Sequence, residues 1–218
     1  MTQVISDVAF TPSVKAVQAR LGSRQHYAQM EKRDGWSDAV TPELSEFLNE
    51  QDSFYFGTAS RDGRPYIQHR GGPKGFLKVL DDRTLEFADF KGNRQYISVG
   101  NLAENNQAFL FLMDYATQTR IKIWGTAEVI EDDPELQARL TDPQYKGKPE
   151  RVIRFRVEAW DVNCRQHIPI KYSQEDVEAL LQPIRDRLAS LEAENDALKH
   201  QLQAPGNSAV GAKGRNSG

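Results

Sequence analysis

Two polar segments that contain glycine carry the residue types that could bind an anion. They are Gln68, His69, Arg70, Gly71 and Gly72, and then Lys91, Gly92, Asn93, Arg94 and Gln95. We expect two neighbouring hairpins to bring these segments together. A glycine turn entering a helix offers backbone N–H groups and the positive end of the helix dipole, and an arginine adds a forked donor. The combination predicts a site for a phosphorylated cofactor. The competing interpretation is an ordinary helix start, with glycine for the turn and asparagine for the cap.

Two further polar groups could contribute to such a site. Arg120 and Lys122 alternate with isoleucines, so the two cations share one face of a predicted strand. The competing interpretation of these cations is a solvated outer face. Gln166 and His167 belong to a polar cluster that follows the last predicted strand.

The histidines and the single cysteine do not form a metal site or a catalytic pair in the sequence. Zinc needs three or four ligands, and the 4 histidines are scattered without ligand spacing. Cys164 and His167 lie in one loop, whereas a nucleophile and its base usually come from separate elements. We therefore predict no metal, leave the catalytic residues unassigned, and expect Cys164 to make a packed or weakly polar contact.

Composition limits the class of protein. The 218 residues have a formal net charge of -3 and are 39% hydrophobic, which predicts one main globular domain. The near-neutral balance argues against nucleic-acid or membrane-surface binding, which needs a clustered basic field. One cysteine rules out an internal disulfide, no segment has the length of a membrane span, and the first ten residues do not resemble a secretory signal. We expect a cytoplasmic protein.

The apolar pattern predicts a mainly β protein with peripheral helices. Val14, Val17 and Leu21 have helical spacing, and Thr41 is a predicted N-cap for a helix over residues 41–49. Predicted strands cover residues 53–60, 65–70, 76–80, 84–90, 108–115, 120–130 and 152–162, with helices at residues 93–104 and after Pro134. Antiparallel hairpins hide their edges by closing into a small barrel. We therefore assign residues 1–50 to a helical segment that packs on the barrel and residues 51–172 to the barrel.

The C-terminal segment, residues 173–203, has a heptad pattern. The d positions are Val177, Ile184, Leu191 and Leu198, and the a positions are Leu181, Leu188, Asn195 and Leu202. One asparagine at an a position favours a parallel two-stranded coiled coil, and the alternative is one helix folded back on its own barrel. Pro183 predicts a bend or a restart of the helix. We expect residues 204–218 to be a disordered tail.

Several ordered motifs resemble the pyridoxamine 5'-phosphate oxidase-like family of flavin-binding split barrels. They are residues 54–59, residues 62–65, residues 70–73, residues 75–77 and residues 92–94, and the likeness covers roughly residues 20 to 170. The resemblance implies a six-stranded antiparallel split β-barrel, with FMN bound in two symmetric sites between the subunits of a homodimer.

The resemblance also implies roles for particular residues. Gln68, His69, Arg70 and Gly71 would lie along the ring and ribityl chain, and Phe87 with Ala88 would line the same groove. Asn93, Arg94 and Gln95 would hold the phosphate. Arg120 would lie against the flavin, and Gln166 with His167 would approach it from the second subunit.

The family pattern is not matched everywhere. The oxidases that act on vitamin B6 have a long aliphatic strand ending in lysine, where this chain has residues 69–73, and their Arg-x-His clamp is matched only by residues 165–167 in a different context. We therefore expect an FMN-dependent oxidoreductase for another small molecule, with NADH or NADPH as a candidate electron donor. The alternatives are a non-catalytic flavin sensor or storage module, a relative that binds the deazaflavin F420, and a haem-binding relative.

Overall fold

The computed structural model describes residues 4–33, 35–163 and 165–203. Its elements are a 3-10 turn at Ile5–Val8, the helices α1 (Pro12–Arg20), α2 (Arg24–Lys32), α3 (Pro42–Asn49), α4 (Ile97–Glu104), α5 (Pro134–Arg139) and α6 (Gln174–Gln203), and the strands β1 (Ser53–Ala59), β2 (Pro65–Gly71), β3 (Lys78–Asp81), β4 (Thr84–Phe90), β5 (Gln107–Asp114), β6 (Thr119–Ile130) and β7 (Pro149–Asn163). The chain divides into two compact units, Met1–Ile170 and Lys171–Gly218. The expectations for Cys164 and for the tail lie outside the described residues.

The first unit contains one antiparallel sheet in the order β2-β1-β5-β6-β7-β4-β3. Strands β1 and β4 are four places apart in this order, yet the rings of Phe54 and Phe87 are 5.1 Å apart in an edge contact. The sheet therefore curls until its two ends meet through side chains. The expected mainly β barrel with peripheral helices is confirmed. The sheet has one strand more than the six that the resemblance implies, because the short β3 also pairs with β4, through a register shift.

Alternating residues of the strands fill the interior of the curled sheet. Phe56, Phe87, Leu110 and Ile153 are fully buried there. Helix α3 closes this core: the Thr41 hydroxyl accepts a hydrogen bond from the Leu44 N–H at 3.3 Å, and the apolar face of the helix is buried. The predicted helix over residues 41–49 is confirmed.

The segment before α3 packs on the outer face of the sheet. Trp36 stacks on Trp124 of β6 with ring centroids 4.6 Å apart, and the indole N–H of Trp160 donates to the Ala39 carbonyl at 2.8 Å. The predicted helix around Val14 is confirmed as α1. Helix α2 was not predicted.

Helix α4 begins later than the sequence pattern indicates. It starts at Ile97 rather than at residue 93, because Arg94 and Tyr96 have left-handed backbones with φ of 60° and 53°. A right-handed helix cannot include such residues. Residues 91–96 therefore form a loop that delivers the chain to the helix.

The second unit contains the single helix α6, 30 residues long, with Pro183 in its interior. The sequence pattern allowed a bend or a restart at this proline, and the described helix is continuous through it. No helix among the described residues is both long and apolar enough to cross a membrane.

Candidate functional site

A polar cleft opens between β2, β4 and the loop before α4. Its lining is Gln68, Arg70, Asp89, Phe90, Gly92, Asn93, Arg94, Tyr96, Ser98, Val99, Glu150 and Arg151. The cleft thus joins the two segments that the sequence pattern singled out, residues 68–72 and 91–95. The cavity volume is about 40 Å³, room for a few water-sized groups.

The pairing of β2 with β1 sets the direction of the first two side chains. Gln68 lies opposite Phe56 and Arg70 lies opposite Phe54, both on the face that points into the barrel. The Arg70 guanidinium lies 5.9 Å from the centre of the Phe56 ring. An aromatic surface beside the core therefore supports this arginine where it lines the cleft.

Asp89 connects two arginines across the cleft. Its carboxylate hydrogen-bonds to Arg70 and lies 3.6 Å from Arg151. Arg151 in turn has its guanidinium 4.9 Å from the centre of the Tyr96 ring. The three charged side chains are each about nine-tenths buried. The carboxylate therefore holds both cations in place beside a small polar space.

Arg70 and Arg151 each have one buried donor atom that no hydrogen bond among the described residues uses. In the part of the chain that the structure describes, the buried Nε atoms of Arg70 and Arg151 have no hydrogen-bond partner. The Arg151 Nε lies 3.3 Å from a Glu131 carboxylate oxygen but outside hydrogen-bond geometry. A buried donor left unpaired costs about 1–3 kcal/mol. An anion in the cleft would remove this cost, and the three arginines of the lining outnumber its two carboxylates.

The loop before α4 and the start of that helix add further polar groups to the cleft. The Asn93 side-chain oxygen accepts from the Gln95 N–H at 3.2 Å, and the Arg94 Nε donates to the Tyr96 hydroxyl at 3.1 Å. No described side chain caps the start of α4. The Ser98 hydroxyl donates to Gln68 at 3.2 Å. This helix start therefore presents uncapped N–H groups and a positive dipole end, which together favour an anion.

Of the twelve residues to which the resemblance assigns a role toward the cofactor, the structure brings four together in the cleft: Gln68, Arg70, Asn93 and Arg94. The other eight lie elsewhere in the described chain. His69 points to the outer face of the sheet, with its ring 5.6 Å from that of Tyr55. Gly71 ends β2, and Gln95 is exposed in the loop beside the cleft.

The remaining predicted residues have different surroundings. The Phe87 ring is fully buried against Phe54 and Phe56, and Ala88 is buried in a second apolar cluster, so neither side chain lines the cleft. Arg120 lies on the outer face with its guanidinium 6.0 Å from the Phe111 ring. Gln166 and His167 are exposed after β7.

Asp89, Tyr96, Ser98 and Arg151 were missed from the sequence. Asp89 carried a signal, because it follows Leu85 and Phe87 at every second position of a strand, so it had to point inward. An inward carboxylate demands a cationic partner. Arg151 lies next to the buried Val152 and Ile153, but only the β4–β7 register, which pairs it with Asp89, identifies it.

Burial raises the pKa of the Asp89 carboxyl, and the charges of Arg70 and Arg151 only partly oppose this effect. Ionisation of Asp89 therefore costs folding free energy. We expect Asp89→Asn to match the wild type in acid, where the carboxyl is protonated in both states. Its thermal midpoint should then rise above that of the wild type as pH increases from about 4 toward 7.

Asp81→Asn is the control for this experiment, with the opposite sign. The Arg83 N–H donates to Asp81 at 2.8 Å, and this backbone hydrogen bond lowers the pKa of Asp81. Asp81→Asn should therefore lose stability relative to the wild type as pH rises. A midpoint for Asp89→Asn that falls below that of the wild type with rising pH would contradict a raised pKa for Asp89, because it would mean that the two arginines outweigh the effect of burial.

A curled antiparallel barrel with a polar, arginine-lined cleft defines the class of this protein. A family model described as pyridoxamine 5'-phosphate oxidase matches residues 40–164, more than half of the chain. The chain belongs to this family. Among curated proteins, no relative matches it.

Solved structures that are similar to this chain include the following three. HupZ of Group A Streptococcus is 19% identical, over 61% of this chain and 99% of its own, with a TM-score of 0.47. An FMN-binding protein from Syntrophomonas wolfei is 15% identical, over 67% and 97%, with a TM-score of 0.45. HutZ, the haem storage protein from Vibrio cholerae, is 17% identical, over 56% and 94%, with a TM-score of 0.39.

Proposed function

We propose that this protein binds FMN and that the polar cleft lined by Arg70, Arg94 and Arg151, which we call the arginine cleft, holds its phosphate group. The observation that carries the proposal is the pair of buried Nε donors, on Arg70 and Arg151, that no described residue accepts from. A phosphate oxygen is the acceptor that would complete such donors, and charge-assisted hydrogen bonds of this kind are the strong ones. Membership of the pyridoxamine 5'-phosphate oxidase family supports a phosphorylated ligand.

The residues of the cleft fit a phosphate in charge, donors and space. Arg94 adds a third guanidinium, and the uncapped start of α4 adds backbone N–H groups. Gly92 has no atom within 4 Å of the position that a Cβ would take, so the backbone here is open to a ligand. Asn93 and Ser98 supply neutral groups that can share the remaining phosphate oxygens.

The flavin ring has to lie outside the cleft, because a cavity of about 40 Å³ cannot hold three fused rings. We propose that the ring lies between two copies of the chain in a homodimer. The outer face of β1 and β2 leaves Tyr55 40% and Ile67 67% exposed, an apolar surface that a partner would cover. On the same side of the sheet, the Arg120 Nε and the Asn163 side-chain oxygen find no acceptor or donor among the described residues.

Bound FMN would supply the hydride and electron transfer of an oxidoreductase. The chain's own part would be to bind the phosphate, orient the ring and exclude water from it. Gln68, which already accepts from Ser98, would present its amide N–H groups from the same barrel face as Arg70. The surroundings of the ring would be completed by Arg120 and, from the second copy, by Gln166 and His167. The substrate would be a small molecule other than a B6 vitamer, with NADH or NADPH as electron donor.

The visible spectrum of the purified protein tests this proposal. We expect a yellow protein with a flavin absorbance band and about one flavin per chain, bleached by NADH or NADPH under anaerobic conditions and restored by air. A protein that stays colourless after incubation with excess FMN would overturn the proposal. Bound flavin that neither NADH nor NADPH reduces would indicate a non-catalytic flavin sensor or storage protein instead of an enzyme. A Soret band would identify the ligand as haem instead of FMN, and a deazaflavin spectrum would identify it as F420.

A further inference from the structure

Helix α6 carries an apolar stripe that the structure leaves in water. We call this stripe the seam: its d positions are Val177, Ile184, Leu191 and Leu198, and its a positions are Leu181, Leu188, Asn195 and Leu202. The apolar members of the seam are 38% to 87% exposed. A helix of 30 residues with an exposed apolar seam, and with mostly polar residues and alanines elsewhere, offers a surface that a partner can cover.

We propose that the seam of α6 pairs with the seam of a second copy of this chain in a parallel two-stranded coiled coil. The spacing of the seam alternates between three and four residues over almost four heptads, which is the repeat that knobs-into-holes packing requires. The partner is a second copy because the charged side chains that flank the seam on one helix attract those on an identical helix. This proposal does not depend on the flavin and concerns the second unit of the chain alone.

The charges beside the seam support self-pairing. In a parallel pair Arg187 lies beside the partner's Glu192, and Glu194 lies beside the partner's Lys199. In a fully overlapped antiparallel pair Arg187 would lie beside the partner's Glu194, which is attractive as well. The flanking charges therefore favour a second copy as the partner without choosing the direction of the two helices.

Asn195 favours the parallel direction of the two helices. In the parallel pair it lies opposite the partner's Asn195, and the two amides can hydrogen-bond to each other. In the overlapped antiparallel pair it would lie opposite the partner's Ile184, which offers no hydrogen bond. A buried amide without a partner carries a free-energy cost, so the parallel arrangement is favoured.

Pro183 is compatible with this pairing. It falls at position c of the heptad, on the side of the helix away from the seam, and it removes the N–H that would bond to the Ala179 carbonyl four residues earlier. Ala179 is at position f, also away from the seam. The freed carbonyl can therefore bond to water, and the helix continues through the proline.

Cysteine cross-linking of the full chain tests the proposal. With Cys164 replaced by serine, Leu198→Cys places one thiol on the seam, and Ala193→Cys places one thiol at the outward f position as the matched control. In a parallel pair the two thiols introduced at position 198 lie opposite each other. We expect mild oxidation to convert most Leu198→Cys chains to a covalent dimer on a non-reducing gel, while Ala193→Cys chains stay monomeric.

The other outcomes overturn the proposal. In an antiparallel pair residue 198 lies beside the partner's residue 181, roughly 25 Å from the partner's residue 198 at 1.5 Å per residue. A tagged Leu181→Cys chain coexpressed with an untagged Leu198→Cys chain would then give the mixed covalent dimer, and Leu198→Cys alone would give none. A helix folded onto its own barrel would give neither product. The FMN content should be unchanged in every variant, which separates this test from that of the proposed function.

Discussion

Replacing Arg70 by methionine is expected to lower the affinity for FMN by roughly 10- to 150-fold, with almost no change in the affinity for riboflavin. The change removes one charge-assisted contact to the phosphate, worth about 1.5–3 kcal/mol. Methionine keeps an unbranched apolar stem beside the Phe56 ring, so the packing of the Arg70 stem is largely preserved. Asp89 keeps Arg151 as its partner. Fluorescence titration of the flavin-free protein with each ligand measures the two affinities.

Arg156→Met is the matched control for this variant. Arg156 is an exposed arginine on β7, the strand that also carries Arg151, and it lies outside the arginine cleft. We expect its removal to leave FMN affinity within about twofold, because surface charges at a distance are screened by salt. Two results would contradict a phosphate contact at Arg70. In the first, Arg70→Met lowers the affinities for FMN and for riboflavin equally. In the second, Arg70→Met and Arg156→Met lower the affinity for FMN equally.

Replacing Gly125 by alanine is expected to destabilise the barrel by about 3 kcal/mol or more, which lowers the thermal midpoint by about 6–12 °C. A Cβ at this position would lie 1.9 Å from the Arg156 carbonyl oxygen and 2.8 Å from the Phe155 ring. The carbonyl belongs to the backbone of β7, at the point where the β6–β7 register shifts beside Trp124. A flexible side chain could move aside, whereas a paired strand cannot.

Gly100→Ala provides the control for the same substitution. Gly100 lies in α4, and a Cβ there has no atom within 4 Å. Alanine in a helix interior is favoured over glycine by about 0.5–1 kcal/mol. The midpoint of Gly100→Ala should therefore rise slightly. A Gly125→Ala protein as stable as the wild type would mean that β6 and β7 pair in a different register.

The strands could be predicted well from the sequence because their apolar residues alternate with a period of two, and the helices α1 and α3 because their signals are local. Helix α2 was missed because it has few apolar residues: Arg24–Lys32 contains only Tyr27, Ala28 and Met30. The late start of α4 depends on left-handed backbones at Arg94 and Tyr96. Residues other than glycine adopt that conformation only in a particular tertiary context.

The site could be predicted only where it is local in the sequence. Gln68 and Arg70 reach the cleft because they are two apart in β2, and the same alternation turns His69 to the outer face. Arg151 could not be placed beside Asp89, since 62 residues separate them and only the pairing of β4 with β7 brings them together. The inward direction of Phe87 follows from the same alternation, but its contact with the Phe54 ring depends on the curl of the sheet, which no local pattern of residues encodes.

Titration of the flavin-free protein with FMN and with riboflavin tests the central claim most directly. If the arginine cleft holds the phosphate, flavin fluorescence should reach its plateau at about one FMN per chain, and inorganic phosphate should compete with FMN. Riboflavin should bind at least about tenfold more weakly, because it lacks the group that Arg70 and Arg151 would contact. Equal affinities for the two ligands, or no binding of FMN, would contradict the assignment of the cleft.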